Sequence, residues 1–135
     1  MSRGKKVEET VGPELRRGRV AWLSAMRWRR AVEGELSEIG LTFTQWLVLE
    51  ATHELSEESG DAVNQSEVAR RLELDRMTVS QVMRTLERQG LVDRGPATAP
   101  PALRIWATDA GRKTISKARA RANSASTAFA KAARP

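Results

Sequence analysis

The chain has 135 residues, of which 40% are hydrophobic and 30% charged, a composition typical of one globular domain and not of a disordered or membrane-spanning chain. It contains no cysteine and a single histidine, His53, which excludes disulfides and thiol nucleophiles and argues against a histidine metal cluster or a Ser-His-acid triad. We therefore expect a cytoplasmic protein that is not an enzyme and has no cofactor. The net charge of +6 permits a polyanionic partner without proving one.

The first predicted element is one long helix. Residues 1–12 are polar and predict a flexible tail, and Pro13 is well placed to open a helix that Gly40 ends. Two apolar stripes run along this helix, so both sides must be covered, and in a short chain we expect one of them to meet a second subunit. The first stripe is Leu15, Trp22 and Met26; the second is Ala21, Ala25, Trp28, Val32, Leu36 and Ile39.

Three shorter helices are predicted next, over residues 43–55, 65–73 and 76–89, and each follows a residue that can cap it. The predicted caps are Thr42, Asn64 and Asp75. The acidic residues 56–63 predict a surface loop between the first two of these helices.

The helix over residues 76–89 has two contrasting faces. Val79, Val82, Met83 and Leu86 recur at helical spacing and predict its buried side. The opposite face contains no acidic residue. It consists of Met77, Gln81, Arg84 and Arg88, flanked by Thr78, Ser80 and Thr85.

A β-hairpin and a final helix complete the chain. Residues 91–95 predict a short strand, residues 103–108 alternate as a half-buried strand does, and the segment between them, PATAPP, predicts a turn. Thr108 is the predicted cap of the C-terminal helix or helices, which carry a heptad-like apolar seam. The seam residues are Ile115, Ala118, Ala122, Ala125, Phe129 and Ala132.

A short helix, a tight turn, a second helix with a polar outer face and a hairpin together predict a winged helix-turn-helix, a mainly α fold with a small β wing. The DNA major groove accepts one α-helix, and amide, hydroxyl and guanidinium groups match base-edge donors and acceptors. Gln81 suits adenine, and Arg76 or Arg84 suits guanine or phosphate. Thr78, Ser80 and an exposed Met77 suit phosphate or a thymine methyl. The predicted DNA-binding residues are Asn64, Gln65, Ser66, Arg76, Met77, Thr78, Ser80, Gln81, Arg84, Arg88, Arg94 and Arg104.

The segments LTFTQWLVL, QSEVARRLELDRMTVSQVMRTLERQGLVDR and ATDAGRK resemble the MarR family of dimeric winged-helix transcription regulators. The resemblance implies a DNA-binding lobe over residues 41–108 and dimerisation through the helices of residues 13–40 and 109–135. It also implies a repressor on an inverted-repeat operator, with the fourth helix in the major groove and the wing on the DNA backbone or minor groove. The uncharged PATAPP departs from the family's acidic and arginine-rich wing tip, which puts contact by the tip in doubt. The predicted dimer residues are Leu15, Trp22, Met26, Ile115, Ala118, Ala122 and Phe129.

The resemblance further implies a small aromatic or anionic ligand. Trp22, Met26 and Trp46 are the candidate pocket residues, with Arg16, Arg19, Arg27 and Arg30 as cations nearby, although core packing and a solvated arginine strip explain the same residues. A second hypothesis for the whole chain is a winged-helix dimer that serves as a protein-protein interaction module. An acid-free face without aromatic anchors favours DNA over protein as the partner of the fourth helix.

Overall fold

Five helices and two strands follow one another in residues 9–96 and 103–133, the part of the chain that the structure, a computed structural model, describes. They are α1 (Pro13–Ser37), α2 (Phe43–Ser59), α3 (Gln65–Leu72), α4 (Arg76–Arg88), β1 (Val92–Pro96), β2 (Leu103–Ala107) and α5 (Asp109–Ala132). None of the described helices is long and apolar enough to cross a membrane.

The predicted helix starts are confirmed, because each predicted cap accepts a backbone N–H in the first turn of its helix. Thr42 forms a full capping box, in which its hydroxyl accepts from the Gln45 N–H at 3.1 Å and the Gln45 side chain accepts from the Thr42 N–H at 3.1 Å. The other caps are Asn64 to the Glu67 N–H at 2.9 Å, Asp75 to the Thr78 N–H at 2.8 Å and Thr108 to the Gly111 N–H at 3.0 Å. Local sequence therefore sets where these helices begin.

The surface loop predicted over residues 56–63 is confirmed only for residues 60–62; residues 56–59 are helical and Val63 is buried, so the prediction was wrong there. Helix α2 continues to Ser59, where Glu58 accepts two hydrogen bonds from the Arg71 guanidinium at 2.6 and 3.1 Å. Beyond it, Val63 is fully buried and pairs with Ile105 of β2, with N–O distances of 3.0 and 2.7 Å. Val63 thus forms a one-residue antiparallel bridge alongside β2.

The buried apolar side chains of the described residues form two separate cores. One lies beneath α2, α3, α4 and the hairpin and includes Leu49, Val68, Val79 and Ile105. The other lies where the second half of α1 meets α2 and α5, around Val32 and Leu36. Strands β1 and β2 pair antiparallel, with Val92 opposite Ala107, and their inward side chains close the first core.

Helix α5 is a single helix, and its apolar seam is mostly internal. Ile115, Ala118 and Ala122 are buried within the single chain, at 2%, 0% and 5% exposure. The prediction that they are exposed in a monomer and covered by a second subunit was therefore wrong. The same spacing describes a helix packed on its own chain or on a partner, and here α1 and α2 cover it. Of the predicted dimer residues in α5, only Phe129 remains partly exposed.

Candidate nucleic-acid interface

The turn between α3 and α4 brings the two helices into a helix-turn-helix. Helix α3 ends at Glu73, whose φ of 54° lies in the left-handed region, and the Leu74 N–H returns to the Ala69 carbonyl at 3.0 Å. Two residues later Asp75 caps α4. This turn is short enough that α3 and α4 pack against each other and share the first core.

Helix α4 buries one side and presents the other, as its sequence predicts. Val79, Met83 and Leu86 are fully buried, and they anchor the helix on α2 and α3. On the opposite side Met77 is 72% exposed, and Arg76, Gln81, Arg84 and Arg88 are exposed as well. We call Met77, Gln81, Arg84 and Arg88 the recognition face.

The two arginines of the recognition face are held in place by hydrogen bonds to hydroxyl groups, which leave their positive charge unneutralised. The Arg84 guanidinium donates to the Ser80 hydroxyl at 3.2 Å, and Arg88 donates to the Thr85 hydroxyl at 3.2 Å. Both acceptors are uncharged. No ion pair among the described residues involves Arg76, Arg84 or Arg88, so their positive charge and their remaining donors are available to a phosphate or a guanine edge.

The N-terminus of α4 is fixed by Asp75. Its carboxylate accepts the Thr78 hydroxyl at 2.6 Å and the Thr78 N–H at 2.8 Å, and these hydrogen bonds, with the hydroxyl contributing most, lower the pKa of Asp75. The carboxylate therefore stays ionised and holds the first turn of α4, where Arg76 and Met77 lie. Thr78 was predicted to contact DNA, but its hydroxyl proton is already donated to Asp75.

The start of α3 holds the remaining helical residues predicted to bind DNA. Asn64, Gln65 and Ser66 are all half-buried, and the side chain of Asn64 is occupied as the helix cap. The Gln65 side-chain oxygen is buried without a hydrogen-bond partner among the described residues. These three residues thus border the helix-turn-helix and expose less polar surface than α4 does.

Both wing arginines predicted to bind DNA are engaged within the chain, which corrects that expectation. Arg94 shares the inward side of the hairpin with Ile105; its side chain is 18% exposed, and its Nε lies 2.6 Å from a Glu87 carboxylate oxygen of α4. Arg104 is half-buried and donates to the Ala62 carbonyl at 2.8 Å. The tip of the wing, residues 97–102, whose contact with DNA the uncharged sequence left open, lies outside the described residues.

Two glycines let the wing and its base pack closely. Trp106 lies on the outward side of β2, as strand alternation predicts, and covers Gly95 of β1; a Cβ there would sit 3.0 Å from the tryptophan ring. At the start of α5, a Cβ on Gly111 would sit 2.1 Å from the Leu91 carbonyl oxygen. Only glycine fits at position 111 without moving the backbone.

The acidic stretch of the sequence is paired away from α4. Glu50 accepts from Arg119 of α5 at 2.7 Å, and Arg121 reaches both Glu35 and Glu38. These carboxylates raise the pKa of Arg119 and of Arg121. Because these carboxylates pair with arginines of α5, and Glu58 pairs with Arg71 of α3, none of them neutralises the exposed arginines of α4. No three histidine, cysteine or acidic side chains gather as metal ligands in residues 9–96 and 103–133.

The residues predicted to form a dimer face and a ligand pocket lie in two different places. Leu15 and Trp22 are 57% and 62% exposed and line an open groove on the first half of α1. Trp46 lies in the second core, with its ring 5.7 Å from that of Phe43. Within one chain, therefore, Trp22 and Trp46 do not share a pocket.

A cation that sequence reasoning missed lies over the ring of Phe43, one of whose aromatic neighbours is Trp46. The Arg29 guanidinium is 5.2 Å from the Phe43 ring centroid, and the Arg29 Nε and the Trp46 Nε1 are both buried without a hydrogen-bond partner among the described residues. The sequence pattern did not single out Arg29 among the arginines of α1, and only its packing against Phe43 reveals that it turns inward.

Comparison with known proteins identifies relatives of this architecture. A MarR family profile matches residues 39–99. The chain is 32% identical over 83 residues to the uncharacterized HTH-type transcriptional regulator YdcH of Bacillus subtilis, a match that covers 62% of this chain and 56% of that relative.

Two solved structures extend the likeness to nearly the whole chain. A MarR family transcriptional regulator from Rhodococcus sp. RHA1 is 26% identical, with a TM-score of 0.78 over 89% of this chain and 82% of that one. CouR from Rhodococcus jostii RHA1, solved with p-coumaroyl-CoA bound, is 27% identical, with a TM-score of 0.69 over 91% and 80%.

Proposed function

Since the chain belongs to the MarR family of winged-helix transcriptional regulators, we propose that it binds one specific sequence of double-stranded DNA as a homodimer and represses transcription there. The observation that carries this proposal is the recognition face, an exposed and acid-free helix side whose arginines have no ion-pair partner among the described residues. A bound dimer would cover promoter DNA that RNA polymerase needs, so repression requires no further contact. DNA as the partner implies a cytoplasmic location.

The polar side chains of the recognition face match groups that DNA offers in the major groove or on its phosphate backbone. The Gln81 amide can both donate to and accept from adenine, and Arg84 can donate to guanine or to phosphate. Arg88, at the end of the helix, is suited to the phosphate backbone, which supplies affinity without sequence information. Specificity and affinity thus fall to different residues of one helix.

Selection of bound duplexes from a random pool, followed by fluorescence anisotropy, tests this function. We expect the selected duplex to bind at least about a thousandfold more tightly than a random one at physiological salt. Equal affinity for both duplexes would contradict specific binding and would favour the alternative, a protein-protein interaction module.

The homodimer proposal rests on the first half of α1. Leu15, Trp22 and Leu23 are exposed along this helix in the single chain, and monomeric proteins rarely leave a contiguous apolar strip of this kind in water. Phe129, near the end of α5, lines an adjoining groove with Ser24 and Arg27. A two-fold interface built on these helices would cover both grooves, and its operator would be an inverted repeat with half-site centres about one DNA turn apart.

Light scattering tests the dimer. We expect the wild-type chain to scatter as a dimer at micromolar concentration and Trp22→Glu to dissociate it, whereas Met77→Ala, which removes an exposed apolar side chain from the recognition face, leaves the dimer intact. A wild-type monomer would contradict the proposal.

We further propose that a small aromatic anion releases the protein from DNA by binding beside Arg29 and Trp46. The Arg29 Nε and the Trp46 Nε1 are unpartnered donors beside an aromatic wall formed by Trp28, Phe43 and Trp46, and CouR is a relative solved with an aromatic thioester. Buried donors without acceptors are costly, so a carboxylate that accepts from them would bind favourably. Tenfold release of DNA requires about 1.4 kcal/mol of differential affinity between the free and the DNA-bound conformation.

Titration with salicylate, followed by tryptophan fluorescence and DNA affinity together, tests this regulation. We expect both signals to change in the wild type and in Arg30→Gln, which removes an exposed arginine next to Arg29 on α1, and neither to change in Arg29→Gln. Flat signals up to millimolar salicylate and related aromatic acids would contradict it.

A further inference from the structure

The one large apolar side chain on the recognition face is Met77. It is 72% exposed, more than any other large hydrophobic side chain of the described residues, and it lies one helical turn before Gln81. Arg76 precedes it, and Arg84 and Arg88 follow along the same side of the helix. A flexible thioether thus lies within a surface that otherwise carries only amide, hydroxyl and guanidinium groups.

The geometry points to Met77 as a specificity-determining residue that recognises the C5-methyl group of a thymine in the operator. This inference rests on the proposed function and deepens it, because it names a group of the DNA that α4 reads. Among the base edges exposed in the major groove, the thymine methyl is the one apolar group. Every other base edge offers hydrogen-bond donors or acceptors, which methionine would cover without satisfying, at a cost in affinity.

The local structure holds Met77 in the position that this contact needs. Asp75 accepts hydrogen bonds from Thr78 at 2.6 and 2.8 Å, which fixes the backbone turn that contains Met77. Val79 and Met83, on the opposite side of the helix, are fully buried and anchor it. The backbone is therefore rigid, while the unbranched side chain can adjust to the position of a methyl group.

The spacing along the helix places the thymine near the adenine assigned to Gln81. Four residues of an α-helix rise about 6 Å, and successive base pairs are about 3.4 Å apart. The methyl group contacted by Met77 therefore lies within about two base pairs of the base contacted by Gln81. We expect affinity-selected operators to contain a thymine at this distance in each half-site.

Replacement of thymine by deoxyuridine is the direct test, because it removes the methyl group and leaves base pairing unchanged. Each thymine of the selected operator is replaced in turn, and the full chain is titrated against each duplex by fluorescence anisotropy. Burial of one methyl group contributes about 0.8 kcal/mol, so we expect one position per half-site at which deoxyuridine weakens binding about fourfold.

Variants of the recognition face assign that loss to its side chain. In Met77→Ala the same deoxyuridine substitution should have no effect, whereas Met77→Leu, which restores apolar contact, should recover sensitivity. Gln81→Ala is the matched control on the same face and should keep the fourfold loss. Because Met77 is mostly exposed, its replacement leaves the fold intact, which the thermal unfolding midpoint checks.

Two results would overturn the inference while leaving the proposed function in place: no thymine position sensitive to deoxyuridine, or a sensitive position that stays equally sensitive in Met77→Ala. Failure to select any sequence over random DNA would instead overturn the proposed function, and this inference with it.

Discussion

The recognition face and the wing both carry arginines close to the helix-turn-helix, yet the structure uses them in opposite ways. Arg84 and Arg88 touch only neutral hydroxyls of their own helix and keep their charge available. Arg94 is paired with Glu87, and Arg104 donates to the Ala62 carbonyl. The number of arginines near a DNA-binding surface is therefore larger than the number that can bind phosphate.

The difference follows from the direction of each side chain. On α4, residues 77, 81, 84 and 88 share the side opposite the core, where no acidic side chain lies. In the hairpin, Arg94 shares the inward side with Ile105 and meets Glu87 on the neighbouring helix. The wing arginines thus stabilise the position of the hairpin against α4 and against the segment that precedes α3. We therefore expect DNA affinity to depend on the recognition face.

The largest expected effect lies at the base of the wing. In Gly111→Ala the new Cβ would overlap the Leu91 carbonyl, which lies 2.1 Å from its position, so the junction of hairpin and α5 must move. We expect a loss of about 3 kcal/mol or more in the free energy of unfolding, measured by urea denaturation.

Gly34→Ala is the control for this prediction. Gly34 also lies in a helix, but a Cβ there meets no atom within 4 Å, so we expect a gain of up to about 1 kcal/mol from helix propensity. Equal stability of the two variants would show that the base of the wing is not tightly packed.

The second prediction separates the two sets of arginines by salt dependence. Arg84→Ala and Arg88→Ala should each reduce the slope of log affinity against log salt by about 0.9 for every phosphate that the replaced arginine neutralised. Arg94→Ala should leave that slope unchanged and should lower the free energy of unfolding by about 1 kcal/mol, because Glu87 is left without its ion-pair partner. A salt slope that falls in Arg94→Ala would place the wing arginine on DNA.

The smallest expected effect concerns pH. The hydrogen bonds from Thr78 lower the pKa of Asp75 in the folded chain, so the ionised cap contributes stability above the ordinary aspartate pKa, and this contribution disappears as the pH falls through the lowered value. In Asp75→Asn, which caps a helix comparably well, the pH-dependent stabilisation by the ionised cap should be absent. Thermal unfolding midpoints measured between about pH 5 and pH 2.5 should therefore fall less steeply in Asp75→Asn than in the wild type. Parallel plots of midpoint against pH would contradict a stabilising role for the ionised Asp75 carboxylate.

Sequence reasoning predicted the elements that local rules control. The caps Thr42, Asn64 and Asp75, the buried side of α4 and its exposed face all follow from short-range hydrogen bonding and from helical periodicity, and the structure confirms them.

What it missed depends on contacts between distant segments. The pairing of Val63 with Ile105, of Arg104 with Ala62 and the burial of Ile115 join residues far apart in the chain. A periodic pattern shows that a side chain is covered but not by which partner. The heptad-like seam of α5 was therefore assigned to a second subunit although α1 and α2 cover it, and Arg29 was overlooked although it turns toward Phe43.

The most direct test of the central claim, that α4 reads a DNA sequence, is the affinity of Gln81→Ala for the selected operator and for random DNA, measured side by side by fluorescence anisotropy. We predict a loss of about 1 to 3 kcal/mol on the operator, confined to one base pair of each half-site, and no change on random DNA. An equal loss on both duplexes would contradict the assignment of Gln81, and with it the account of the recognition face as the part of the protein that reads sequence.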